Sequence, residues 1–224
     1  MRYEAVLFDL DGTLCRSVGD TAAAYHTAFD AVGSDPFGEP SELWDRLDGP
    51  PDPYDPVGYI ATGFSRLAAV YRRRVDPLQL SEAFLAALDH RAVAFTPGAD
   101  QAVSLASSTG RTGLVTNGPR DRQEPKVEAL GLDERLDTVV YAGDLPRRKP
   151  HRDPFDRALE ELDVPPERAV YVGDSLEYDV AGAFTAGIDA AWLRSDREGD
   201  TKGYSPEWTL DSLAEFGTVF EARS

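Results

Sequence analysis

A single cysteine in 224 residues, Cys15, leaves no possibility of an intramolecular disulfide, so nothing in the chain asks for an oxidising compartment. Long apolar runs are also missing. The longest extend over four to six residues, far short of the ~20 that a helix needs to cross a bilayer, and residues 1–30 hold no apolar stretch of the signal-peptide kind. The expectation is a cytoplasmic protein with no membrane partner. Basic charge is scarce: 40 Asp and Glu face 23 Lys and Arg, for a formal charge of -17. Such a surface repels nucleic acid phosphates and anionic lipid, which argues against a nucleic-acid partner. Lysine is scarcest of all. Only Lys126, Lys149 and Lys202 occur, against 20 Arg. An acidic, lysine-poor surface fits a salt-rich, halophile-like cytoplasm, where ionic strength screens self-repulsion; the plainer alternative is an Arg-rich mesophile protein. What the chain has in quantity is core material, with 42% apolar and 10% aromatic residues.

Residues 4–8 form an apolar run that stops abruptly at Asp9-Leu10-Asp11-Gly12-Thr13, the pattern of a buried strand feeding a loop. Similar runs recur at Thr112 to Thr116, Thr138 to Tyr141, Ala169 to Val172 and Ala190 to Leu193. Between them the apolar spacing is helical, and Thr96-Pro97 and Asp153-Pro154 read as N-caps before a first-turn proline. Gly131 and Gly187 stand where helices would stop. This alternation predicts an α/β fold, a Rossmann-like parallel sheet core with helices on both faces, and such sheets bind ligands beyond the carboxyl ends of their strands. Residues 16–95 break the alternation. Helical patterning from about Thr21 to Val32, and again through Leu67 to Tyr71 and Phe84 to Leu88, flanks a Pro-rich connection at Gly49 to Pro53. The predicted organisation is a core of residues 1–15 and 96–224 with a small helical domain, 16–95, inserted after the first strand. A surface loop from Ser195 to Pro206 is expected before a short terminal strand and helix, and no internal repeat is present.

Asp9 and Asp11 carry the chemistry. Two carboxyls separated by one residue at a strand's carboxyl end could serve as nucleophile and as proton donor and acceptor, with Gly12 and Thr13 allowing a tight exit. The same residues could also make an ordinary Asp-Gly turn. Thr116 and Asn117, in a Gly-containing loop after the next core strand, offer a hydroxyl and backbone N–H groups suited to phosphate oxygens, or a plain turn. Lys149 is a compact cation whose backbone is restricted by Pro150, and choosing Lys within Arg147-Arg148-Lys149 in so Arg-rich a chain suggests chemistry; the alternative is a solvated basic run. In Gly173-Asp174-Ser175-Leu176-Glu177-Tyr178-Asp179, Asp174 and Asp179 are hard oxygen donors of the sort Mg2+ takes, although Asp179 could equally be a helix N-terminal carboxylate.

Taken together, the order Asp-x-Asp, Thr116, Lys149 and Gly-Asp-x4-Asp, each at a strand end, resembles the haloacid dehalogenase-like (HAD) hydrolase superfamily along nearly the whole chain. Gln123 to Leu132 (Q-E-P-K-V-E-A-L-G-L), Phe155 to Ala158 and Ala181 to Gly187 are similar to the subgroup of phosphoglycolate phosphatases and related small-molecule phosphatases, and the insertion is similar to that subgroup's helical cap. The resemblance implies a hydrolase acting on a small phosphorylated metabolite. It implies Asp9 as nucleophile, Asp11 as acid and base, Mg2+ held by Asp9, Asp174 and the backbone carbonyl of Asp11 with Asp179 supporting that loop, and Thr116 and Lys149 on the phosphoryl oxygens. Two departures stand out: His151 and Arg152 separate Lys149-Pro150 from Asp153-Pro154, where relatives place Asp-Pro directly, and the inserted segment carries no specificity motif.

Rival readings remain. A haloacid dehalogenase would use the same first Asp, but those relatives lack the counterpart of Asp11. A phosphomutase would pass the phosphoryl group to a sugar, though Thr13 leans toward hydrolysis, and His26 reads as a polar helix residue. A non-catalytic scaffold would have lost one of the key carboxylates, and none is lost. Arg72 to Arg74 read as a solvated helix face, and Trp44 and Trp192 as core. Nothing in the sequence marks an oligomeric interface.

Overall fold

The computed structural model describes residues 3–49, 55–194 and 203–220. The expected Pro-rich connection at residues 50–53, most of the expected loop after Arg194, and Lys202 lie outside the described residues. Strands β1 (Ala5–Phe8) and β2 (Cys15–Ser17) precede four helices, α1 (Thr21–Ala31), α2 (Pro40–Trp44), α3 (Pro56–Tyr71) and α4 (Pro77–Ala87). Then β3 (Val93–Phe95) leads into α5 (Ala99–Thr109), β4 (Arg111–Thr116), α6 (Arg120–Ala129), β5 (Thr138–Tyr141), α7 (Asp153–Leu162), β6 (Ala169–Gly173), α8 (Ala181–Ala186), β7 (Asp189–Leu193) and β8 (Trp208–Leu210). The chain divides into two compact units, Met1–Val18 with His90–Ser224, and Gly19–Asp89. Among the described residues no helix is long and apolar enough to cross a membrane.

The first unit is built on a six-stranded parallel sheet in the order β5-β4-β1-β6-β7-β8. Its strands are apolar on both sides because both faces are covered. In β1, Val6 and Phe8 join Leu114 and Val172 in a core shared with Val103 of α5 and with Phe216 of the C-terminal 3-10 helix. Ala5 and Leu7 face the other way, onto Tyr171 of β6, Phe155 and Leu159 of α7 and Ala183 of α8. Every β1 side chain is thus buried, and each fully buried Leu or Phe contributes about 1.5–3 kcal/mol. Because β4 and β5 lie on one side of β1 and β6 to β8 on the other, the chain reverses its direction of winding at β1. A ligand crevice opens at such a point.

Several helix boundaries differ from the sequence reading. α5 begins at Ala99 behind Gly98, whose φ of 84° is left-handed, and Thr96 does not cap it. The Thr96 hydroxyl instead donates to the Thr13 carbonyl in the loop after β1, a tertiary tie that outcompetes the local cap. α7 has Arg152 as its N-cap, with Asp153 already in the first turn and Pro154 following. Gly187 ends α8 in the left-handed region, and Gly131, also left-handed, lies just past α6. The antiparallel ribbon of β2 with β3 has three residues on each strand, too few for a period-2 pattern to show.

Among its described residues the second unit has helices and no strand. Asp20, Asp55 and Asp76 each cap a helix, accepting from Ala23 N at 2.9 Å, Gly58 N at 2.8 Å and Leu78 N at 3.0 Å. Pro56 and Pro77 occupy first-turn positions, where a missing N–H costs nothing. The core is aromatic: Tyr25 lies 4.9 Å from Phe29 and 5.8 Å from Phe64, centroid to centroid. Trp44 is 41% exposed and only edges Phe84, so it is not the core residue expected. Its helix is five residues long and gives it one face to lean on. His26 is exposed on α1, and Arg72 to Arg74 are exposed beyond the end of α3.

Candidate active site

The loop after β1 is set by its own backbone. Asp9 N still donates to Val172 O at 2.9 Å, prolonging the sheet, and the chain then turns so tightly that Cys15 N and Leu14 N both return to Leu10 O at 2.9 Å. Gly12 makes the turn at φ 84°, and a Cβ there would lie 2.5 Å from Asp174 Oδ2. Glycine is required twice over, for conformation and for the close approach of the two loops.

Asp9, Asp174 and Asp179 come together: one carboxylate oxygen from each lies within 4.8 Å of the others. Asp9 follows β1 and Asp174 follows β6, its neighbour in the sheet. Asp179 sits in a π-type helical turn, Leu176–Val180, where its Oδ2 accepts from Ser175 N at 2.9 Å. Trp192, a core residue of β7 as expected, donates from Nε1 to Asp174 O at 2.9 Å, and the Thr13 hydroxyl donates to Asp174 Oδ1 at 3.4 Å.

Lys149 binds two members of this cluster. It is 1% exposed, and its Nζ donates to Asp9 Oδ1, Asp179 Oδ1 and the Tyr171 hydroxyl, each at 2.7 Å. All three ammonium donors are satisfied. The expected basic run is therefore split, because Arg147 turns outward to Asp153 at 2.8 Å. Asn117, at the end of β4, fixes Lys149 through its backbone: Lys149 N donates to Asn117 Oδ1 at 2.9 Å, and Asn117 Nδ2 donates to Lys149 O at 3.1 Å. Both ends of the Asn117 amide are thereby engaged with the chain that carries the lysine.

Burial pushes the Asp9 carboxyl up, to about 8, with Asp179 and Asp174 adding to the rise and Lys149 opposing it. Asp174 is pushed to about 6, by burial first and then by Asp179. Burial works against the Lys149 ammonium, yet Asp179 and Asp9 outweigh it and hold its pKa above the ordinary lysine value. The result is three carboxyl groups around a single cation, with oxygen donors only. A hard divalent cation such as Mg2+ fits that donor set and relieves the crowding of negative charge.

Asp11 stands apart from the three. Its oxygens accept from Lys126 Nζ at 2.7 and 2.9 Å and from Gln123 Nε2 at 2.7 Å. Gln123 Nε2 also lies 2.7 Å from Thr116 Oγ1, which links Asp11 to the end of β4. Sequence reasoning missed Lys126, Gln123 and Tyr171 as site residues. The scarcity of lysine, already used to single out Lys149, would have nominated Lys126 as well. Nothing local marks Tyr171, which reads as one more strand aromatic.

Fold and site together define the class: an α/β protein with an acidic, lysine-bridged centre at the winding reversal of a parallel sheet. A family model for haloacid dehalogenase-like hydrolases matches residues 3–187, and the chain belongs to that family. It is 34% identical over 232 residues to the protein CbbY of Cereibacter sphaeroides, covering 96% of this chain and 94% of that one. To the phosphoglycolate phosphatase of Colwellia psychrerythraea it is 26% identical over 226 residues, covering 95% and 94%. Among solved structures, the HAD-hydrolase YfnB of Bacillus subtilis, bound to magnesium, superposes with a TM-score of 0.74 at 23% identity, covering 99% of this chain and 100% of that one; at that identity the likeness concerns the fold.

Proposed function

We propose that this chain is a Mg2+-dependent phosphatase that hydrolyses a small phosphorylated metabolite through an aspartyl-phosphate on Asp9. The observation that carries the reading is the buried Lys149 ammonium held between Asp9 and Asp179 with Asp174 within reach. That much carboxylate in one crevice needs a further cation, and a crevice holding cations suits a phosphoryl anion. The name of the phosphoglycolate phosphatase relative supports a small phosphorylated substrate.

In the first half-reaction an Asp9 oxygen bonds to phosphorus, the bond from phosphorus to the ester oxygen breaks, and Asp11 gives its proton to that oxygen. In the second, the oxygen of a water bonds to phosphorus, its proton goes to Asp11, and the bond from phosphorus to Asp9 breaks, releasing inorganic phosphate and restoring both residues. Asp9, Asp174 and the Asp11 carbonyl would hold Mg2+, with Asp179 shaping the loop, and the bound ion would supply neutralisation of the negative charge that gathers in the crevice. To hold a phosphoryl oxygen, Lys149 would turn to it one of the three donors now given to Asp9, Asp179 and Tyr171, and the Thr116 hydroxyl would hold another. Asn117 serves the phosphate indirectly, by holding Lys149 in place. The helical unit, inserted in the chain between β2 and β3, is assigned the choice of substrate, and a salt-rich cytoplasm is assigned as the setting of the acidic surface.

The test is turnover of a panel of phosphate monoesters, with Mg2+ and then with chelator, by wild type and Asp9→Asn. Activity should require Mg2+ and vanish in the variant. Wild-type turnover by Asp9→Asn would overturn the assignment of the nucleophile.

A further inference from the structure

The loop after β1 brings its second carboxylate within reach of α6. Gln123 and Lys126 are three residues apart on that helix and so share a face. Between them they hold both oxygens of Asp11, Lys126 from 2.7 and 2.9 Å and Gln123 from 2.7 Å. The Gln123 amide also reaches Thr116, so three separate segments, the β1 loop, the end of β4 and α6, are linked through that one amide. The ion pair is a weak stabilising device. The Asp11 side chain is 49% exposed, and pairs that open to water contribute little to stability. Its effect is directional. The terminal torsion of an aspartate is broad, and a half-exposed carboxylate would sample it freely; a cation on both oxygens and an amide on one leave a single orientation. Composition points the same way, because Lys126 and Lys149 are the only lysines among the described residues and both ammonium groups contact a carboxylate of the Asp9-x-Asp11 motif.

We infer that Lys126 is a positioning residue which, with Gln123, aims the Asp11 carboxyl at the ester oxygen and then at the attacking water. The inference rests on the role of Asp11 in the proposed reaction. The two half-reactions draw on that aim unequally. Departure of a good leaving group such as nitrophenolate needs little help from an acid, whereas cleavage of the aspartyl-phosphate needs Asp11 as base whatever the leaving group was.

The experiment compares full-length wild type, Lys126→Met and Lys126→Arg on p-nitrophenyl phosphate and on glycerol phosphate, with Mg2+ present. Lys126→Met should melt close to wild type and release nitrophenolate in a burst approaching one equivalent per site. A steady state about 100-fold slower should follow, the cost of a misplacement of about 1 Å in a reacting group. On glycerol phosphate it should show no burst and a fall in kcat at least as large, with KM little changed. Lys126→Arg should recover most of the rate, since guanidinium can also grip both oxygens. Wild-type turnover by Lys126→Met overturns the inference, as does an equal loss on both esters with no burst, a lowered melting temperature and no rescue by Arg. Asp11→Asn separates the two levels: if it turns over like wild type, the underlying reaction scheme fails and takes the inference with it; if it is inactive while Lys126→Met is unaffected, the inference alone falls.

Discussion

Replacing Lys149 by Met removes the one ammonium that compensates the buried carboxylates while keeping much of its shape. Three hydrogen bonds of 2.7 Å disappear, to Asp9, Asp179 and Tyr171, at a position 1% exposed where water cannot substitute. Breaking a buried ion pair from one side costs about 3–5 kcal/mol, because the remaining charge is left uncompensated. For a chain of this size each kcal/mol shifts the melting temperature by about 2–4 °C, so the variant should melt about 6–20 °C lower in chelator. The penalty has a defined pH dependence. Without the ammonium, which opposes the rise at both groups, the folded-state pKa values of Asp9 and Asp174 climb further above their unfolded values. Stability is then fully present below the unfolded carboxylate range and is lost as pH rises through the folded pKa. The gap between variant and wild type should therefore be small in mild acid and widen toward alkaline pH. Added Mg2+ should narrow it, since a cation that binds only the folded cluster stabilises by mass action. Thermal melts by circular dichroism across pH, with chelator and with Mg2+, provide the readings. A variant that melts with wild type in chelator at neutral pH, or a gap that shrinks as pH rises, would refute the reasoning.

In the wild type itself, Asp9 is raised from 3.8 to about 8, so metal-free stability should decline as pH climbs between those values, and the Mg2+-induced rise in melting temperature should grow over the same window, with proton release visible by calorimetry. Asn117→Ala removes two hydrogen bonds to the Lys149 backbone and should cost about 1–3 kcal/mol by urea unfolding, with kcat falling as the ammonium loses its anchor; a raised KM with unchanged stability would instead mark Asn117 as a direct phosphate ligand. Melting temperature should rise from dilute to molar KCl if self-repulsion of the -17 charge is being screened, and a salt-independent melt would remove the case for a salt-rich setting.

Much of the fold was legible because its signals are local. Short apolar runs ending in Asp or Gly mark strands buried on both faces, and β1, β5 and β6 lie where those runs do. The carboxylates at strand ends were legible for the same reason: a parallel sheet gathers the loops at its carboxyl edge, so residues just after β1, β4 and β6 are brought together whatever lies between them in the chain. The lysine count was equally informative, although it was applied to Lys149 alone. Partnerships were another matter. Lys149 meets Asp9 across 140 positions and Lys126 meets Asp11 across 115, and no spacing rule links them. Thr96 was read as a helix cap and instead ties down the loop after β1; Asn117 is expected to offer its backbone N–H to phosphate, and what its sequence position does not reveal is that its side-chain amide is engaged with the Lys149 backbone. Both are short polar side chains able to bond whichever backbone group comes near, and which group comes near depends on how distant segments pack. Residue types and periodicity thus specify the elements and the chemistry available at their ends, whereas the orientation of each polar group follows from contacts that exist only once the sheet has assembled.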